Sequence, residues 1–201
     1  RLGHWLSYSQ GSEFSKKEWE NLKVATVPNF QNKLFVGIKY GVDGKHVAMS
    51  IATKVDEKIF VESIDCQSVR NGNTWIISFL KEADIEKVVI DGSGSQQILS
   101  DEIKDYGIKL KPVLPKVSDV VVANNMFEQA VTSSKNICHN DQPSLKQIVT
   151  NCKRRAIGTN GGFGFKAMME EHEIALLDSV ILAHWACATY KGVKKKQKIS
   201  C

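Results

Sequence analysis

Three short strand-like stretches follow one another before any strong helical pattern, and that order limits the architecture more than any other feature of the chain. Leu34-Phe35-Val36-Gly37-Ile38 is the first. A turn over 41–44, with Asp43-Gly44 at its tip, leads to residues 46–53, and Val55-Asp56-Glu57 leads to residues 58–64. Apolar runs joined this tightly predict an antiparallel meander. Trp75, Ile76, Phe79 and Leu80 then fall at helical spacing, predicting a helix over 73–82. Lys87-Val88-Val89-Ile90 is a short buried strand stopped by Asp91-Gly92-Ser93-Gly94. A helix over 96–106 is closed by Gly107, a good C-cap residue, and 108–113 reads as a fifth strand ended by Pro115. Ser118 is expected to N-cap a helix reaching 131, and 144–151 forms another short helix. Residues 156–166 are a glycine-rich hairpin or loop, and 171–190 is the longest helical pattern.

Three antiparallel strands, then helix, strand, helix, strand and further helices, is the order of an α/β fold with an RNase H-like mixed sheet flanked by helices. A Rossmann fold alternates strand and helix from the start. With 201 residues, 42% of them hydrophobic and 24% charged, the chain has material for one core and excludes wholesale disorder. That core is expected over 33–190. Residues 1–32 read as a linker or docked arm, with Ser15-Lys16-Lys17-Glu18 resembling a capping box for a helix over 16–22. Residues 191–201, with lysines at 191, 194, 195, 196 and 198, read as a basic tail. The start, Arg1-Leu2-Gly3-His4-Trp5, has neither Met nor a signal-peptide core and reads as a piece of a longer chain. No apolar run approaches the ~20 residues a bilayer span needs, so no membrane partner is expected. Five scattered cysteines without a C-x-x-C pair fit neither a disulfide framework nor a zinc knuckle, and suit a reducing, intracellular setting. The net charge of +5 is a modest bias toward an acidic partner.

Two carboxylates stand out. Asp91 follows a buried strand, at the edge where open α/β sheets place ligands, although Asp-Gly at a strand end is also an ordinary turn. Asp178 shares a helical stripe with Ile174, Leu177, Ile181, Leu182 and Trp185. A carboxylate there is costly to bury unless paired or bound to a cation. Together they suggest a two-metal phosphoryl-transfer site, for which Mg²⁺ or Mn²⁺ with hard oxygen ligands is apt. A third acid would be expected on the first strand, but Lys39 fills that position; Asp43, four residues on in the following turn, is the candidate third metal ligand if the loop folds back. A lysine there repels a cation and can pair with Asp91 or Asp178. Glu171, two turns before Asp178, is a supplementary ligand or part of a solvated helix start. His139, His172 and His184 lack metal-ligand spacing. Lys153, Arg154, Arg155 and Lys166 are candidate phosphate contacts or solvated surface. No G-x-x-x-x-G-K-[ST] motif occurs.

In order and spacing these segments resemble the C-terminal nuclease domain of the large terminase subunit of tailed bacteriophages or prophages. Leu2-Gly3-His4-Trp5 with Ser15–Trp19 resembles the stretch joining the ATPase motor to the nuclease, and Phe35-Val36-Gly37-Ile38 the first nuclease strand. Val88-Val89-Ile90-Asp91 with Gln97 and Leu99 resembles the second acidic motif. Cys138-His139-Asn140-Asp141 through Leu145 and Asn151 resembles the family's histidine–asparagine segment. Phe165-Lys166 with Leu177-Asp178-Ser179-Val180 resembles the final lysine and aspartate motif. The resemblance implies a metal-dependent endonuclease that cuts concatemeric DNA during packaging, with Asp91 and Asp178 as catalytic acids. It implies double-stranded DNA, the small terminase subunit and the portal of the procapsid as partners, in the host bacterial cytoplasm. The family's first aspartate falls on Lys39, which leaves open a domain that binds DNA and packaging partners without cutting. An RNase H-like resolvase or transposase core is a further alternative.

Overall fold

Alternation along the first strand decides how the sheet is covered. Among the described residues, 11–158, 160–170 and 172–192 of this computed structural model, Phe35 packs into the core on one face, while Val36, Ile38 and Tyr40 pack into a second core on the other. In chain order the elements are α1 (Lys16–Glu20), β1 (Leu34–Tyr40), β2 (His46–Val55), β3 (Lys58–Ser68), α2 (Thr74–Glu82) and β4 (Ile85–Asp91). They continue with α3 (Ser95–Asp105), α4 (Val117–Thr132), β5 (Ile137–His139), α5 (Pro143–Val149), β6 (Cys152–Ile157), β7 (Gly162–Ala167) and α6 (Ala175–Ala188).

The meander forms as its spacing predicts, and β4 joins it parallel to β1, giving the order β4-β1-β2-β3-β5. This is the RNase H-like mixed sheet. Helices α2 and α3 cover one face, and α1, α4, α5 and α6 the other. The glycine-rich segment is a hairpin, β6-β7, forming a small sheet of its own.

The fifth strand of the sheet is not 108–113. That segment meets β4 at one bridge only, where Val113 donates to Val88 O and accepts from Ile90 N, each at 2.9 Å. The next residue to face β4 is Pro115, which has no N–H to extend the ladder. The fifth strand is instead Ile137–His139, parallel to β3, too short to show a period. Ser118 is not the cap of α4: Lys116 holds the N-cap position, and Asp119 accepts from its N–H at 2.9 Å. The last helix starts at Ala175 rather than 171, so Asp178 stands in its first turn and not at its middle.

The capping box of α1 is present, with Ser15 Oγ accepting from Glu18 N at 3.1 Å and Glu18 Oε2 from Ser15 N at 2.8 Å. The arm buries Phe14, Trp19 and Leu22 in the core. Trp19 stacks on His139 at 3.9 Å, and His139 Nε2 donates to Trp19 O while Nδ1 accepts from Asp141 N. The histidine of the family-like segment therefore clamps the arm to β5. His184 is a core residue packed edge-on against Phe127, its pKa pushed down to about 4 by burial.

Helix α6 reaches the sheet through Gly37. A Cβ there would lie 2.1 Å from Ser179 O and 2.5 Å from Ala183 N, both backbone atoms. The absent side chain lets the helix backbone rest on β1, where the buried Ser50 and Ser179 hydroxyls meet at 2.6 Å. Gly37→Ala should force the layers apart and lower stability by about 3 kcal/mol. Gly11→Ala, at a position with no atom within 4 Å, should change nothing. Urea denaturation of both variants measures this; equal midpoints would refute the close-packing account.

Candidate functional site

The parallel register of β1 and β4 sets Lys39 directly beside Asp91 at the carboxyl ends of both strands. Alternation puts both on the α6 face, since Phe35 and Val89 on the same side of the pleat pack with that helix. Lys39 Nζ donates to Asp91 Oδ2 in an ion pair whose side chains are 12% and 20% exposed. The first turn of α6 brings Asp178 to the same place. Lys39, Asp91, Asp178 and Arg155 line one narrow cavity of ≈ 20 Å³, walled by Val120, Ile157, Ile181 and Leu182 and edged by Asn124. That is room for about one water molecule.

Two acids and two bases thus share an enclosed space. Burial pushes the Asp178 carboxyl up to about 6. Lys39 and Arg155 oppose that rise, and the charges of Asp91 and Glu173 add to it. Arg155 is held in position by donation from Nε to Phe165 O at 3.0 Å.

The hairpin divides the basic cluster by strand alternation. Lys153 and Arg155 share one face, and Lys166, paired with Lys153 across the ladder, shares it with them. Arg154 points the other way. Its Nε lies 3.0 Å from Glu13 Oε1, it also pairs with Glu128, and its guanidinium stacks 4.2 Å from the Phe163 ring centroid. Of the four basic candidates, Arg154 is therefore already neutralised.

Asp43 does not line the cavity. The β1–β2 turn holds it, with Oδ1 accepting from Lys45 N at 3.0 Å, and groups it with His46 and Glu173. Sequence reasoning missed Arg155 as a wall of the acidic site, Asn124, and the pairing of His46 with Glu173. Only the alternation of β6 hinted at the first, and no local signal exists for the others, whose partners are distant in sequence. Glu171, residues 2–5 and the lysines beyond 192 lie outside the described residues.

The architecture matches solved phage proteins. The large terminase of bacteriophage HK97 superposes with a TM-score of 0.64 at 14% identity, covering 86% of this chain and 43% of that one. The large terminase nuclease of thermophilic phage G20c with bound magnesium gives 0.61 at 14% identity, covering 88% and 97%. The large terminase of a further thermophilic bacteriophage, in complex with ADP, gives 0.59 at 16% identity, covering 88% and 44%. This chain therefore has the RNase H-like fold of terminase nuclease domains, and it spans less than half of the HK97 protein and of the ADP-bound terminase. No family model matches the sequence, and no curated protein does. Among the described residues no helix is long and apolar enough to cross a membrane.

The raised Asp178 pKa has a testable sign. Folding favours the protonated carboxyl, so its stabilisation is full below the unfolded value of 3.8 and is lost as pH rises through about 6. Asp178→Asn, neutral at every pH, should gain about 3 kcal/mol over the parent at pH 8 in EDTA and little at pH 4. Denaturation midpoints at the two pH values provide the check, and a variant less stable than its parent at pH 8 would contradict the assigned environment.

Proposed function

We propose that this chain is the nuclease domain of a large terminase subunit from a tailed phage or prophage, and that it cuts concatemeric double-stranded DNA during packaging. The observation that carries this reading is the convergence of Asp91 and Asp178, from the end of β4 and the start of α6, in a fold shared with terminase nucleases. The G20c nuclease has been solved with magnesium and with cobalt, which supports a divalent ion here. Packaging further implies the small subunit and the procapsid portal as partners, in the cytoplasm of the host bacterium.

The donor set fits one hard divalent ion rather than two. Asp91 and Asp178 offer carboxylate oxygens suited to Mg²⁺ or Mn²⁺, but the third acid a second ion would need is replaced by Lys39. When bound, the ion supplies Lewis-acid stabilisation of the phosphoryl oxygens and activates water. The chain's own groups do the rest. Lys39 places a fixed ammonium where charge builds on the phosphate, the role a second cation would otherwise serve. Arg155 puts a second positive charge in the same cavity, and Lys153 and Lys166 hold the flanking backbone.

Lys39 also favours a second reading. Its ion pair with Asp91 already neutralises that acid, so the domain would bind DNA and packaging partners without cutting. Plasmid nicking in Mg²⁺, Mn²⁺ or EDTA separates the two. The endonuclease reading expects nicking by the parent with metal and none in EDTA, with Asp178→Asn reduced about a hundredfold or more. Nicking by Lys39→Asp alone would establish the second reading, and equal nicking by Asp178→Asn and parent would sink the site. Preference for branched junctions or transposon ends over plain duplex would instead indicate a resolvase or transposase core.

The hairpin face makes an independent prediction. Lys153→Ala and Lys166→Ala should each weaken duplex binding across sequences and reduce the salt slope by about one. Arg154→Ala should leave both unchanged. Fluorescence anisotropy over a KCl series reads these effects, and an Arg154 effect as large as that of Lys166 would overturn the facial assignment.

A further inference from the structure

Beside the acidic cavity, three side chains from separate elements converge without a role in the proposed reaction. Asp43 comes from the β1–β2 turn, His46 is the first residue of β2, and Glu173 lies just before α6. One donor atom from each lies within 4.8 Å of the other two. His46 Nδ1 is buried and stands 2.9 Å from Glu173 Oε2, yet out of line for a hydrogen bond, so this nitrogen has a carboxylate neighbour but no hydrogen-bond partner. The other Glu173 oxygen accepts from Ala175 N at 3.1 Å. Asp43 Oδ1 accepts from Lys45 N, and Oδ2 is 3.8 Å from Lys45 Nζ.

Gly41 forms the floor. A Cβ at that position would meet Asp43 Oδ1 at 3.0 Å and Glu173 Oε1 at 3.3 Å, so the lack of a side chain is what leaves room for the two carboxylates to approach. Two carboxylates brought together repel, and Lys45 Nζ stands 3.8 Å from Asp43 alone, so a cation shared by both acids would relieve the repulsion. Two carboxylates and one imidazole are the donors of a borderline ion such as Mn²⁺, Co²⁺ or Zn²⁺, whereas Mg²⁺ prefers oxygen alone.

We propose that Asp43, His46 and Glu173 form a second divalent-cation site, distinct from the Asp91–Asp178 pair and selective for Mn²⁺, Co²⁺ or Zn²⁺ over Mg²⁺. Three protein donors leave coordination positions for water or a phosphate oxygen. The bound ion ties the β1–β2 turn to the segment that delivers Asp178, and so steadies the start of α6. The site does not depend on whether the domain cuts DNA.

The test uses Co²⁺ as probe and the Asp91→Asn/Asp178→Asn double variant, which removes both donors of the first site. Calorimetry should find one Co²⁺ per chain, with a visible d–d absorption band and a rise in Tm on binding. Adding His46→Ala should weaken binding at least tenfold and abolish the band, and adding Glu173→Gln should weaken it likewise. A double variant that binds no Co²⁺ while remaining folded by circular dichroism would overturn the site. Unchanged binding in both added variants would also overturn it. Neither result bears on nicking by the parent, so failure here and failure of the endonuclease reading stay distinguishable.

Discussion

The contact of α6 with β1 at Gly37 is the constraint on which the rest depends. A glycine in a central strand gives up side-chain packing and backbone entropy, and here that loss is offset by bringing two backbones together. Ser179 and Ala183 then sit on the strand itself, and the Ser50–Ser179 hydroxyl pair satisfies the polar groups the contact buries. Asp178, one residue before Ser179, is carried to within electrostatic reach of the ends of β1 and β4. With any larger residue at 37, the helix would lift and the acidic site would open.

What collects at that point is a balanced set of charges rather than a bare acidic cluster. Asp91 and Asp178 face Lys39 and Arg155 in a space about the size of a water molecule. In such an enclosure each charge is poorly solvated, and neutrality is kept by pairing or by proton uptake. Asp91 takes the first course with Lys39; Asp178, with its raised pKa, tends to the second. Lys39 thus neutralises one of the two acids from within the chain itself.

The β6-β7 hairpin adds direction to this charge. A period of two along β6 sends Lys153 and Arg155 to one side and Arg154 to the other, where Glu13, Glu128 and Phe163 absorb it. Three consecutive basic residues that look equivalent in one dimension therefore have different electrostatic environments. The face that keeps its charge adjoins the cavity through Arg155.

Local pattern determined much of this protein. The meander, β4 with its terminal Asp91, the α1 capping box and the hairpin follow from periodicity and turn chemistry, which act over a few residues. Resemblance in motif order added the fold, and the expectation that Lys39 stands where that family carries its first acid. Tertiary structure decided the remainder. The edge strand Ile137–His139 is too short to show a period, and 108–113 makes a single bridge to β4 before Pro115 stops the ladder, so β5 could be found only by pairing. Arg155, Asn124, His46 and Glu173 reach their places through helix-on-sheet packing, which joins residues far apart in sequence. A side chain's type is written in the sequence, but its charge state and its neighbours depend on which surfaces exclude water, and only the folded chain sets those.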